Sequence, residues 1–355
     1  MNKLPYLAYS NMQTTNVISY GNTTLTHSYA ANELNQYTTI NNPAAVGLRG
    51  EALSNATVTV NQTLAASDTP PSDVWPWHFA LGADNATGPD FPHAEIIATL
   101  NPPGTNGTAL LSTQSGHLYA PPQEEGLLYD DDGNLVQDAR YLYIWDAENR
   151  LIAVEERITP SNRPLRRIEY DYDHQSRRVA RRHYTHDNAT WQLITTSDLV
   201  YDGWNVITEV LSPESCVLST NLYVWGLDIS GSPQGAGGIG GLLSATFDNA
   251  TALYTYDANG NVGQLIAIST NGTITAHYEY DPFGSTIIAT GTLVKTNPFR
   301  FSTKWFDKAT GLGYWGYRWY SPIMGRWMNR DPLSESISSH ITRYFSDAGQ
   351  QLNAF

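Results

Sequence analysis

Arg326 and Asp331 stand five positions apart within residues 311–333, GLGYWGYRWYSPIMGRWMNRDPL, a cation and a carboxylate close enough to share one buried pocket. Beside a guanidinium a buried carboxylate stays ionised. The pair therefore has two uses, a structural ion pair that pins the segment or the charged half of an acid–base arrangement. Six neighbours are Trp or Tyr (Tyr314, Trp315, Tyr317, Trp319, Tyr320 and Trp327), set between glycines and two prolines. That composition is extended and turn-punctuated rather than helical, and it suits a plug or platform.

Other stretches with chemical potential read more plainly. Gly235-Ala-Gly-Gly-Ile-Gly240 fits G-x-G-x-x-G, but Leu242-Leu-Ser-Ala-Thr-Phe follows where a dinucleotide site needs the opening of a helix. A tight glycine loop with closely approaching backbones is the better reading. Asp130-Asp-Asp-Gly-Asn134 has the acidity of a calcium loop without its closing bidentate glutamate, and reads as a capped turn. His183 and His186 could bring two imidazoles together, yet no third ligand is evident and a polar strand end is expected. Residues 163–182 hold seven arginines, read either as a solvated strand face or as an interior surface against an acidic cargo. No Gly-x-Ser-x-Gly elbow, His-Glu-x-x-His or phosphate loop occurs, and neither cofactor nor metal is expected.

Composition narrows the partners. With 20 Lys and Arg against 34 Asp and Glu the formal charge is -14, which disfavours nucleic acid because affinity for phosphates comes from cationic side chains. The single cysteine, Cys216, allows no internal disulfide and no thiolate cluster. No apolar run is long enough for a membrane span or a classical signal peptide. The abrupt start is that expected of a fragment of a longer protein.

The elements that must position the C-terminal stretch follow a repeated grammar. Residues 1–118 are rich in Thr, Asn, Ser, Ala and Pro, with alternating runs such as Ala56-Thr-Val-Thr-Val60 between breakers such as Asn101-Pro-Pro-Gly104. They predict a twisted antiparallel region with long loops. From Tyr129 an aromatic-Asp step, a polar turn and an apolar run recur, beginning at Tyr129, Trp145, Tyr172, Tyr201, Tyr256 and Tyr280. Each predicts a β-hairpin: Tyr ends a strand, Asp caps the turn, Gly or Asn takes positive φ, and Leu or Val opens the next strand. The starts lie 16, 27, 29, 55 and 24 residues apart, an irregularity that suits a spiral of variable turns better than a propeller of fixed blades.

These repeats, together with Tyr223-Val-Trp-Gly-Leu-Asp-Ile-Ser-Gly-Ser-Pro-Gln-Gly-Ala-Gly-Gly-Ile-Gly-Gly-Leu-Leu243, Tyr280-Asp-Pro-Phe-Gly284 and the run from Asn297-Pro-Phe-Arg-Phe-Ser302 through Gly325-Arg-Trp327 to Asp331-Pro-Leu333, resemble the C-terminal part of RHS/YD-repeat proteins, ending in the RHS repeat-associated core. The resemblance covers about residues 125–333. It implies an all-β fold, a spiralling antiparallel sheet of YD hairpins, a shell fragment, with a C-terminal plug. The implied division is 1–118, a divergent β region; 119–284, the hairpin spiral; and 285–355, the core and plug. Alternation along the strands predicts an aromatic inner face and a polar outer one.

The resemblance implies a structural encapsulation module of a toxin-type protein, secreted or at the bacterial cell surface, whose shell encloses a C-terminal effector. Partners would be that effector, a secretion-system or further shell component, and a second copy through the open sheet edge. In self-cleaving members the residues matching Arg326 and Asp331 lie near the proteolytic site, and carboxylate proteolysis needs one protonated and one ionised partner. Asp307 and Asp347 are the candidate second carboxylates. The chain departs from the family at Ser321 and Ser334, and ends at Gln351-Leu-Asn-Ala-Phe355 before the usual cut site. An autoproteolytic core is thus the alternative activity. An adhesive, carbohydrate-binding surface built on Trp and Tyr is the third reading.

Overall fold

A computed structural model describes residues 16–20, 23–67, 74–100, 109–160, 163–187, 189–213, 218–269 and 272–332. Cys216, Leu333, Ser334, Asp347 and residues 351–355 lie outside that set. The dominant element is a 14-stranded sheet in which every strand pairs antiparallel with its neighbours in sequence, from Leu128–Tyr129 to Thr286–Thr290. It is the spiralling all-β meander that the hairpin grammar predicts.

The turns show why the repeats fold this way. At Asp146, Asp173, Asp257 and Asp281 one carboxylate oxygen accepts the backbone amides two and four residues on, at 2.8–3.0 Å. Three residues after each aspartate the backbone takes positive φ, at Asn149, Ser176, Gly260 and Gly284. The side chain thus replaces the partners that the turn amides lack.

From Trp145 onward, the aromatic residue of each step has a second duty that spacing alone did not reveal. It stands at a register shift in its strand, and its polar tip donates to the carbonyl of the first or second residue of the strand after the preceding turn. Trp145 Nε1 reaches Leu135 O at 2.8 Å, the Tyr172 hydroxyl Leu151 O at 2.7 Å, and the Tyr201 hydroxyl Arg178 O at 2.7 Å. The ladder continues with Trp225 to Val206, Tyr256 to Leu242 and Tyr280 to Val262. Trp225 therefore fills the long gap between Tyr201 and Tyr256, as a Trp-Gly repeat in place of Tyr-Asp.

The inner face buries Tyr143, Tyr170, Tyr223, Tyr254 and Tyr278 in one continuous core with Leu265, Phe299, Trp305 and Trp319. The opposite face differs from the polar surface expected. Leu222, Val224 and Leu253 alternate with those tyrosines and are exposed, as is Ile274 at the start of its strand, because aliphatic side chains suit a pleated strand even where nothing covers them.

The described residues before 119 form smaller sheets. Asn16–Tyr20, Thr23–Ala31 and Tyr37–Asn41 join Glu124–Gly126, and Tyr37 and Ile40 belong to the spiral's core. A four-stranded sheet, ordered Leu110–His117, His93–Leu100, Ala56–Val60 and Thr63–Leu64, faces a three-stranded one built on Ala45–Leu53 and Val74–Gly82. Leu48, Val58, Val60, Ala65, Trp77 and Ala94 make a second core there. No helix among the described residues is long and apolar enough to cross a membrane.

Candidate functional site: the plug and its seat

Four short strands, Trp305–Asp307, Leu312–Tyr314, Trp319–Ser321 and Arg326–Trp327, form the plug and pair in sequence order. Apolar and aromatic residues alternate along them, so Trp305, Leu312, Tyr314, Trp319 and Met328 all go inwards. Trp319 is 2% exposed, and its ring lies 4.6 Å from Tyr170 and 5.2 Å from Tyr314. Its Nε1 donates to the Tyr172 hydroxyl at 3.1 Å. The plug thereby sits on the rungs of the aromatic ladder.

Polar bonds run the length of the seat. The Leu135 amide donates to Met328 O at 2.9 Å, and the Asn329 side chain to Asn149 O at 3.3 Å. At the other end the Tyr254 hydroxyl donates to Asn297 Oδ1 at 2.6 Å and the Tyr320 hydroxyl to Phe283 O at 2.9 Å. The glycine loop is one of these docking points. Gly240 N donates to Thr303 Oγ1, which donates to Gly260 O, both at 2.8 Å, and a Cβ on Gly260 would stand 2.4 Å from Ile239 Cγ2. Asp228 braces the loop. Burial opposes its ionisation, but the Ser230 hydroxyl and the amides of Ser230, Ala236 and Gly238 hold it down to about 2.

Asp307 is the electrostatic centre of the seat. Its carboxylate accepts Arg181 Nε at 2.7 Å, Arg181 Nη2 at 3.1 Å and the Tyr170 hydroxyl at 2.9 Å, all from the spiral. Burial alone would raise this carboxyl, but Arg181 overrides it and holds Asp307 well below the usual carboxylate range. A carboxylate held so firmly ionised cannot be the protonated partner of an acid–base pair.

Next to it Arg178 is fully buried. Its guanidinium carbon lies 4.8 Å from the Trp305 ring and 4.9 Å from Tyr314, with Tyr170 and Trp319 at 5.7 Å, and its three side-chain nitrogens have no hydrogen-bond partner among the described residues. Ring faces take the place of hydrogen bonds. The rest of the arginine cluster pairs with carboxylates of the chain. Arg163 and Arg166 bind Glu156, Arg167 binds Glu155 and Glu169, Arg177 binds Asp173, and Arg182 binds Asp171.

Arg326 and Asp331 take separate stations. The Arg326 guanidinium donates to Asn35 O at 2.5 Å and Asn35 Oδ1 at 3.2 Å, and lies 3.8 Å over the Tyr37 ring, clamping the plug to the N-terminal sheet. Asp331 is half-exposed and pairs with Arg318 at 3.1 Å, whose guanidinium stacks 3.9 Å from the Trp327 ring. Asp347 lies outside the described residues. In the spiral, His183 is pushed down to about 4 by burial and then by the charges of Arg181 and Arg166, while His186 packs against Trp191 at 5.0 Å.

No protein-family profile matches the chain. It is 30% identical over 233 residues to the tRNA3(Ser)-specific nuclease WapA of Bacillus spizizenii, covering 64% of this chain and 9% of that protein. It is also 26% identical over 238 residues to double-stranded DNA deaminase toxin A of Burkholderia cenocepacia, covering 61% of this chain and 16% of that one. The solved TcdB2-TccC3 structure aligns at a TM-score of 0.45 and 16% identity, over 87% of this chain and 16% of that chain. The chain thus spans about a tenth of the length of the WapA protein it matches first. The Tyr-Asp hairpins, the sequential antiparallel sheet and the aromatic plug agree with the resemblance to RHS/YD-repeat proteins, and the similarity to these relatives supports it.

Proposed function

We propose that this chain is a wall-and-stopper module of a toxin-type RHS protein, part of a hollow β shell that encloses a C-terminal effector. The observation that carries the reading is the plug's attachment. It spans the seat from the Asp130 turn to the Asp281 turn and adds one buried ion pair, Asp307 with Arg181. A stopper needs both, because edges and inner faces of a spiral sheet stay open until something covers them. The matched proteins carry nuclease and toxin names, which fits a module serving interchangeable effectors. A secreted or cell-surface location belongs to the same proposal.

Within its full natural polypeptide the effector segment is expected to resist added protease, and Arg181→Leu, which removes the buried ion pair between plug and wall and lowers the stability of both, is expected to make it more accessible. Equal digestion of both forms would reject encapsulation. A second reading, autoproteolysis, is favoured by Asp331, a half-exposed carboxylate at the end of the plug and beside Arg318. In that reading the extended protein gives two bands on a denaturing gel and Asp331→Asn gives one; Asp331→Asn with two bands would remove that residue from the chemistry.

A further inference from the structure

The strand Leu110–His117 is the outermost of its four-stranded sheet, and all eight of its residues are exposed. It pairs with His93–Leu100 in unbroken register, which sets His117 directly opposite His93. The Leu118 amide donates to Pro92 O, and Asp90 and Ala120 exchange both backbone bonds. The hydrogen-bonded pairs are therefore Asp90 with Ala120 and Pro92 with Leu118. His93 with His117 is the next pair along, the kind without backbone bonds, in which side chains come closest. Ala94 is buried in the second core, so both imidazoles point away from it and into solvent.

The two rings lie 5.1 Å apart, centroid to centroid, at 67°. Two imidazole nitrogens bound about 2.0–2.1 Å from one metal ion, at right or tetrahedral angles, hold their rings about 5 Å apart. The observed spacing already meets that requirement. The backbone beneath is well held: Asn61 Nδ2 donates to His93 O and Asn61 Oδ1 accepts the Glu95 amide, both at 2.8 Å, while Leu118 packs against the second core. Glu95 shares the face of His93, two residues along, and in a chain of net charge -14 it adds to the attraction for a cation. No third His, Cys, Asp or Glu among the described residues joins the pair, which leaves the remaining coordination positions to water. His183 and His186, by contrast, stand opposite Thr195 and Trp191 and have no imidazole across the strand pair.

We propose that His93 and His117 chelate one divalent transition-metal ion, Cu²⁺ ahead of Zn²⁺, and that the bound ion clips the edge strand to its neighbour. Imidazole suits these ions, whereas Mg²⁺ and Ca²⁺ prefer oxygen ligands. An open edge strand is where a sheet frays or accepts a foreign strand, and an ion that bridges the pair opposes fraying because it binds the paired form better. The inference is independent of encapsulation.

The test is calorimetry of the chain with Cu²⁺, Zn²⁺ and Mg²⁺ at neutral pH, beside hydrogen exchange of the peptide carrying residues 110–117. The wild type should take up one equivalent of Cu²⁺ at its tightest site, bind Zn²⁺ there more weakly, and give no heat with Mg²⁺. The second ligand of a chelate binds intramolecularly, so His93→Ala and His117→Ala should each weaken that site about tenfold or more, with the double variant little worse than either. His174→Ala, which removes an exposed imidazole in the spiral, should keep the affinity within about twofold. Both rings are exposed, so the metal-free variants should melt with the wild type. In the unsubstituted chain, Zn²⁺ at about ten times its dissociation constant should slow exchange of residues 110–117 about tenfold and leave peptides carrying Tyr170 unchanged. Binding that survives both single variants undiminished, that is lost in only one of them, or that is lost in His174→Ala would overturn the site. Equal binding of Mg²⁺, or exchange of residues 110–117 indifferent to Zn²⁺, would overturn it as well.

Discussion

The spiral with its plug and the N-terminal sheets are both antiparallel β structure, but they are held together by different means. In the spiral one local device recurs: an aspartate caps its own turn while the aromatic before it ties back to the previous hairpin. Pairing there follows sequence order throughout. In the N-terminal region strands pair out of order, as with His93–Leu100 beside Ala56–Val60, and a small separate core does the work of the ladder. Repetition distributes stability along a sheet, whereas a small non-sequential core concentrates it in a few residues.

The plug bears most heavily on that contrast. Arg181→Leu leaves Asp307 buried without its cation and is expected to cost about 3–5 kcal/mol in urea unfolding, all of it in the spiral's transition. A loss confined to the N-terminal transition would break the comparison. Tyr172→Phe leaves Leu151 O and Trp319 Nε1 without their partner, and should cost about 1–3 kcal/mol.

Acidity separates the two regions. Burial, and then the nearby Asp138, push Glu125 up to about 7 at the join of the N-terminal sheet with the spiral. A raised carboxyl contributes stability that is full below its ordinary value of 4.5 and is lost as pH rises through about 7. Glu156, in the spiral, is the reverse. Although burial opposes it, Arg163 and Arg166 hold it down to about 2, so its contribution is present above 4.5 and lost only as pH falls through about 2. Melting curves of the wild type and Glu125→Gln should therefore diverge by several degrees between pH 5.5 and 8.5, the wild type losing ground as pH rises. The comparison cancels His27 and His183, which both forms share. Parallel curves would remove Glu125 from the seam. The smallest effect belongs to a single turn: Asp146→Ala should cost about 1 kcal/mol, near that of losing a helix cap, with Asp173→Ala alike if the turns are equivalent.

The same contrast explains what could be read in the sequence. Turn aspartates, positive-φ positions and the inward tyrosines follow from local chemistry, and the hairpins and the plug were legible from them. The partners of the aromatic tips were not, because Tyr172 reaches a carbonyl a whole hairpin away and only the twist of the sheet brings it there. Trp225 passed unnoticed as a repeat because it lacks the aspartate, although its Tyr-Val-Trp-Gly context was a usable signal. Asp307 and Arg181, 126 residues apart, could be joined only by the folded plug. Arg326 and Asp331 looked like partners by proximity, yet the strand that carries Arg326 turns it toward Asn35 and Tyr37.

Hydrogen exchange followed by mass spectrometry tests most directly whether stopper and wall are one cooperative unit. Peptides carrying Trp305–Asp307 and Trp319–Ser321 should exchange as slowly as those carrying Tyr170 and Tyr254, with the N-terminal sheets opening sooner, and Arg181→Leu should speed plug and wall together. A plug that exchanges quickly while the wall stays protected, in the wild-type chain, would contradict the account.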